Sequence, residues 1–108
     1  MASTLEALAD GTRREVVEAL AKGPMSAGEL AERVGSSPAA LTRHLRLLRR
    51  AGLVDVALDP DDTRRHIYTV RPQPLAGLGE WVGKVTAYWE TQLASFVVHS
   101  QRKNRAKR

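Results

Sequence analysis

Apolar residues recur along this chain at two spacings, and the spacing switches twice. Up to Leu48 they fall three and four apart, from Leu53 to Val70 they come close to alternating, and from Leu75 onward the helical spacing returns. Residues 3–9, STLEALA, predict a short helix with Leu5 and Leu8 apolar, broken by Asp10-Gly11. Thr12 and Glu15 have capping-box spacing and predict a helix through about Ala21, with Val16, Val17 and Leu20 inward and Gly23-Pro24 ending it. Residues 26–52, SAGELAERVGSSPAALTRHLRLLRRAG, read as two helices around a tight turn. Ser26 and Glu29 can cap each other reciprocally; Leu30, Ala31 and Val34 make the first stripe, and Gly35 tolerates the positive φ that stops it. Ser37 is the expected N-cap of the second helix and Pro38 its first residue, where a missing N–H costs nothing. Leu41, Leu45 and Leu48 face inward and Gly52 closes the helix. Such a pair predicts a helix-turn-helix, whose second helix suits the DNA major groove.

Residues 53–58 and 64–70 predict two antiparallel strands around a turn at 59–62, a wing directly after the second helix. Pro72-Gln73-Pro74 opens a long helix, roughly 74–100, with Leu75, Leu78, Val82, Val85, Trp89 and Phe96 on one stripe. Trp81, Tyr88, Leu93 and Val97 widen that stripe beyond what one small domain needs, although Gly77, Gly79 and Gly83 weaken the helix intrinsically. The expected use of the surplus is pairing with a second copy through Leu5, Leu8, Trp81, Val85, Tyr88, Trp89 and Phe96. The expected fold is mainly α with a two-stranded β-wing, a winged helix-turn-helix in the order α-α-α-α-β-β-α. One domain is expected over 1–100, with 101–108 a disordered basic tail.

Charge sharpens this picture only locally. The formal charge is +5, but the tail from Arg102 to Arg108 holds five positive charges, and without it the two signs balance at twelve each. A high isoelectric point is therefore no argument for nucleic acid. The distribution is: no acid lies between Glu32 and Asp55, where the second helix presents Ser36, Ala39, Thr42, Arg43, Arg46 and Arg50 opposite its leucines. Short side chains at its start allow phosphate to approach the amides, and arginines can clamp phosphate or read guanine O6 and N7. In the wing, Arg64 and Arg65 are the expected backbone contacts, because the acids at 59, 61 and 62 would repel phosphate from the tip. Arg13 and Arg14 sit where the helix dipole disfavours cations, so either an acid or a DNA phosphate offsets them or the cost is simply tolerated.

Other chemistries find little support. Without cysteine there are no disulfides, thiolate nucleophiles or thiolate metal sites. No phosphate loop, carboxylate pair or Ser-His-Asp grouping stands out, so no enzyme and no cofactor is expected. No apolar run approaches the length of a membrane helix, and the opening residues lack a secretory pattern, so a cytoplasmic location is expected. His44 can donate to DNA or tuck against the preceding helix; His66 is expected in solvent, and His99 suits the end of the last helix.

LADGTRREVVEAL at 8–20, GELAERVGSSPAALTRHLRLLRRAGLV at 28–54 and RRHIYTV at 64–70 carry a resemblance. Over about residues 3–100 the chain resembles the ArsR-type winged-helix repressors of bacteria, most specifically in its middle block. The resemblance implies a homodimer that represses by occupying a two-fold operator in double-stranded DNA and leaves it when an inducer binds. It implies DNA contacts at Ser36, Ser37, Pro38, Ala39, Thr42, Arg43 and His44. The metal-sensing branch is where the chain departs: it lacks the Cys-x-Cys pair, and Glu80, Glu90 and His99 do not reproduce the acid and histidine ligands. The last helix instead resembles the tryptophan-rich one of relatives without metal ligands, a candidate pocket for an unidentified small-molecule effector. The alternatives are a metal-responsive repressor and a winged-helix module that docks proteins without reading DNA.

Overall fold

A computed structural model describes the backbone of residues 2–106 and the side chains of residues 3–101. The element order is α1 (Ala2–Ala7), α2 (Gly11–Ala21), β1 (Met25–Ser26), α3 (Ala27–Val34), α4 (Pro38–Arg50), β2 (Val54–Leu58), β3 (His66–Val70) and α5 (Pro72–Ala106). The chain divides into two compact units, one ending at Leu78 and one beginning at Gly79. A single domain over 1–100 was the expectation; the division follows from the side chains, since those of residues 79–99 are exposed throughout and join no core.

Among the described residues the first unit holds the whole hydrophobic core. Val16, Val17, Ala19 and Leu20 of α2 meet Leu30 of α3, Leu41, Leu45 and Leu48 of α4, and Leu53 and Val54 entering β2. Leu30, Leu41, Leu48, Leu53, Val16 and Val54 are almost wholly withdrawn from water. Each such side chain contributes about 1.5–3 kcal/mol from burial. Ala31, Val34, Tyr68, Val70 and Leu75 pack around this centre.

Helix α2 begins earlier than the Thr12 box suggests. Asp10 is its N-cap, in extended backbone, with the carboxylate accepting the Arg13 amide at 3.0 Å. An ionised carboxylate at the positive end of a helix is favoured there, and this leaves Thr12 inside the first turn. That amide, with smaller effects from the His44 and Arg13 charges, holds the Asp10 carboxyl below the usual carboxylate range. A lowered pKa in the folded state means the contribution is complete above the unfolded value and disappears as pH falls through the folded one. Asp10→Asn, which can still cap, should therefore flatten the loss of thermal stability below about pH 4. Melting temperatures of both proteins between pH 2 and 7 check this.

The sheet has three strands rather than two, in the order β1-β3-β2. The extra strand is two residues long, with Met25 opposite Tyr68 and Ser26 opposite Ile67, too short for any alternation to betray it. In the hairpin Val54 faces Val70 and Val56 faces Tyr68, with Asp55 and Ala57 exposed between them. Leu53 stays outside the ladder because its amide bonds the Leu48 carbonyl at 3.0 Å and finishes α4. The second strand starts at His66, so Arg64 and Arg65 lie in the loop and not in the strand.

Helix α5 opens at Pro72 and runs past residue 100 to Ala106. The extension is reasonable chemistry, since Arg, Lys and Ala are good helix formers and cations suit a helix C-terminus. The disordered tail expected from 101 is thus helical as far as Ala106, while residues 107–108 lie outside the described residues. Among the described residues no helix is long and apolar enough to cross a membrane.

Candidate nucleic-acid interface

The turn between α3 and α4 is built as its residues dictate. Gly35 takes the left-handed conformation at φ 66°, and the Ser36 amide reaches back to the Ala31 carbonyl at 3.2 Å. Ser37 Oγ then accepts the Ala40 amide at 3.2 Å and Pro38 occupies the first turn. Burial of Leu41, Leu45 and Leu48 fixes the rotation of α4. The outward face therefore carries Ser37, Pro38, Ala39, Thr42, Arg43, Arg46 and Arg50, all exposed. Among the described residues neither Arg43 nor Arg46 is ion-paired. Thr42 donates its hydroxyl to the Pro38 carbonyl at 2.9 Å, which leaves a methyl group and oxygen lone pairs for an approaching base. Ser36 is only half-exposed and donates to the Ser37 carbonyl at 3.3 Å, a turn-building role. Arg49 joins Arg46 and Arg50 around a shallow groove beside Asp55. It was missed because its position borders the leucine stripe.

His44 does not belong to this outward set. Its side chain is 20% exposed, with Nδ1 4.0 Å from Asp10 Oδ1 and 3.5 Å from Arg13 Nη1. It is held against the start of α2 and not on the outward face with the other expected contacts. The two arginines there need no phosphate either. Arg13 Nε donates to the Ala7 carbonyl at 2.6 Å and Arg14 Nη1 to the Leu8 carbonyl at 2.8 Å. Both satisfy carbonyls that the end of α1 leaves open, and the Asp10 carboxylate faces the Arg13 charge, so backbone oxygen and a nearby acid supply the offset.

The two wing arginines separate. Arg64 is 92% exposed, and among the described residues its one ion pair is with Asp62, Nε to Oδ1 at 3.3 Å. Arg65 pairs with Glu29 at the start of α3 and stands 3.9 Å from Asp59 Oδ2. With two carboxylates around it, Arg65 is less open to phosphate than Arg64. The acids of the tip build the loop: Asp59 Oδ1 accepts the Asp61 amide at 2.9 Å and Asp62 Oδ1 the Arg64 amide at 3.1 Å. Glu29 also departs from a reciprocal cap. Its amide donates to Ser26 Oγ at 3.2 Å as expected, but its carboxylate takes the Ser26 hydroxyl at 3.0 Å. Ser26 is also a strand residue, opposite Ile67 of β3.

In the second unit Trp81, Val85, Tyr88, Trp89 and Phe96 are all exposed, Tyr88, Trp89 and Phe96 by 68, 65 and 67%. Val82, Leu93, Val97 and Val98 are exposed as well. Leu5 of α1 is also open, whereas Leu8 packs against the core and is withdrawn from the expected pairing surface. Among the described residues no group of three His, Cys, Asp or Glu converges as a metal site would require.

Residues 8–57 match the family model described as a helix-turn-helix domain. The HTH-type transcriptional regulator Rv2034 of Mycobacterium tuberculosis is 43% identical over 88 residues, which span 77% of this chain and 79% of that protein. Among solved structures, the ArsR-like transcriptional regulator from Rhodococcus sp. RHA1 superposes with a TM-score of 0.72 at 30% identity, covering 88% of this chain and 87% of that one. The homodimeric winged helix-turn-helix DNA-binding domain of Mb0332 from Mycobacterium bovis gives 0.63 at 27% identity, with 79% and 76% covered.

Proposed function

The chain belongs to the ArsR family of winged helix-turn-helix transcriptional regulators, and from that premise we propose that it is a homodimeric repressor that binds a two-fold operator through α4. Its work is regulation, not catalysis. The observation that carries the proposal is the outward face of α4, on which Arg43, Arg46 and Arg50 stand exposed with no acid between Glu32 and Asp55. In the major groove Arg43 reads a base edge, the start of α4 receives a phosphate, and Arg46 and Arg50 follow the backbone. Arg64 supplies the wing contact. The Mycobacterium bovis domain of the same architecture is homodimeric, and the open apolar face of α5 is a suitable surface for the same assembly here. Two copies of α4 then meet successive major grooves about 10 base pairs apart, and a promoter so covered is closed to polymerase in the cytoplasm.

Selection of bound duplexes from random DNA tests this. A recovered site with two-fold symmetry is the expected result. Affinity for it should fall about 10³–10⁵-fold between 50 and 200 mM salt if the dimer neutralises six to ten phosphates. Recovery of no preferred sequence, or binding indifferent to salt, would refute the reading in favour of a protein-docking module.

A further inference from the structure

Consecutive arginines in the wing have opposite surroundings, and the contrast deepens the DNA-binding reading on which this inference rests. Arg65 closes the wing loop with its backbone, since its carbonyl accepts the Asp59 amide at 2.8 Å and its amide donates to the Asp62 carbonyl at 2.9 Å. Its guanidinium leaves the loop and pairs with Glu29, in the first turn of α3, with Asp59 flanking it at 3.9 Å. Glu29 is in turn held by the Ser26 hydroxyl, on the residue that is both the last of β1 and the cap of α3. The wing loop is thus clasped to the first helix of the helix-turn-helix by one charge-assisted contact, beside the two-residue ladder of β1 with β3.

We propose that Arg65 is a positioning residue for DNA binding, whose grip on Glu29 fixes the wing loop against α3 and so presents Arg64 to the phosphate backbone. A phosphate would have to displace two carboxylates to recruit Arg65, whereas Arg64 need give up only one exposed contact with Asp62. The clasp is half open to water, with the Arg65 and Glu29 side chains 45% and 49% exposed. Its strength is therefore that of an exposed ion pair, enough to bias the loop without holding up the fold.

The test uses the full-length protein with two duplexes carrying the sequence recovered by selection. One is extended and the other is trimmed to the major-groove half-sites, so that it lacks the flanks a wing would reach. Glu29→Gln keeps an acceptor for the Ser26 hydroxyl while removing the charge. Glu29→Gln and Arg65→Gln should each weaken binding to the extended duplex about two- to fivefold and leave the trimmed duplex unchanged. The double variant should be no worse than either single one, as expected for two ends of one contact. Arg64→Gln should lose the same preference for the long duplex and reduce the log–log salt slope by about 0.9 per subunit.

Tighter binding by Glu29→Gln would overturn the proposal, because freeing Arg65 would then have created a phosphate contact. So would an equal loss on both duplexes, the mark of general destabilisation. If the wild-type protein binds no selected duplex, the DNA-binding reading falls and takes this inference with it. Wild-type binding combined with a tighter Glu29→Gln overturns the inference alone.

Discussion

Arg43→Ala should weaken operator binding by about 1–3 kcal/mol in each half-site, roughly five- to 150-fold, and relax base preference at one position per half-site. The size follows from the setting. Arg43 stands opposite the leucines that lock α4 in rotation, and among the described residues no carboxylate competes for it. A guanidinium so presented can form two parallel hydrogen bonds to guanine in a fixed planar fork that lysine lacks, so Arg43→Lys should recover the phosphate-like share of the affinity with a weaker base preference. Dissociation constants on the selected site and on its single-base variants would settle the matter. Equal affinity of wild type and Arg43→Ala across that set would remove Arg43 as a reader of sequence.

Trp89→Asp should yield a folded monomer that has lost most of its operator affinity. The indole is 65% exposed, and among the described residues nothing from residue 79 onward joins the core cluster, so the first unit keeps its packing. Buried in a pairing surface, a tryptophan is commonly worth at least ~2 kcal/mol, and a carboxylate set among Val85, Tyr88 and Phe96 adds a desolvation cost. Sedimentation should show a single subunit for this variant, and equally for a chain lacking 88–108, with the melting of the first unit little changed. Losing the linked second half-site removes an avidity gain of about 10²–10⁴. A truncated chain that still sediments as a dimer would show that the apolar face of α5 is not the pairing surface.

Much of this architecture is legible in the residues because local signals agree with one another. Ser37, Pro38, Gly35 and Gly52 sit where cap, first turn and left-handed stops are needed, and each does that work. Misreadings arose where a side chain could choose between a neighbour in sequence and one in space. Thr12 lost the α2 cap to Asp10, which also lies beside His44, a residue distant in sequence. Glu29 is divided between its own helix and Arg65, and no spacing rule foretells a partner brought in by the β1–β3 pairing. His44 sits between an inward leucine and an outward arginine, so periodicity alone could not assign its side. Arg13 and Arg14 looked misplaced because sequence does not reveal that α1 ends over them with open carbonyls.

The unclothed face of α5 also bears on dosage. If only the paired form grips its operator, then at levels below the dimer's dissociation constant the active species grows as the square of subunit number. A twofold rise in expression would then give about four times as much of it, because mass action couples assembly to concentration. A gene under such control would respond to small changes in its regulator as a threshold, with no ligand needed to sharpen the response.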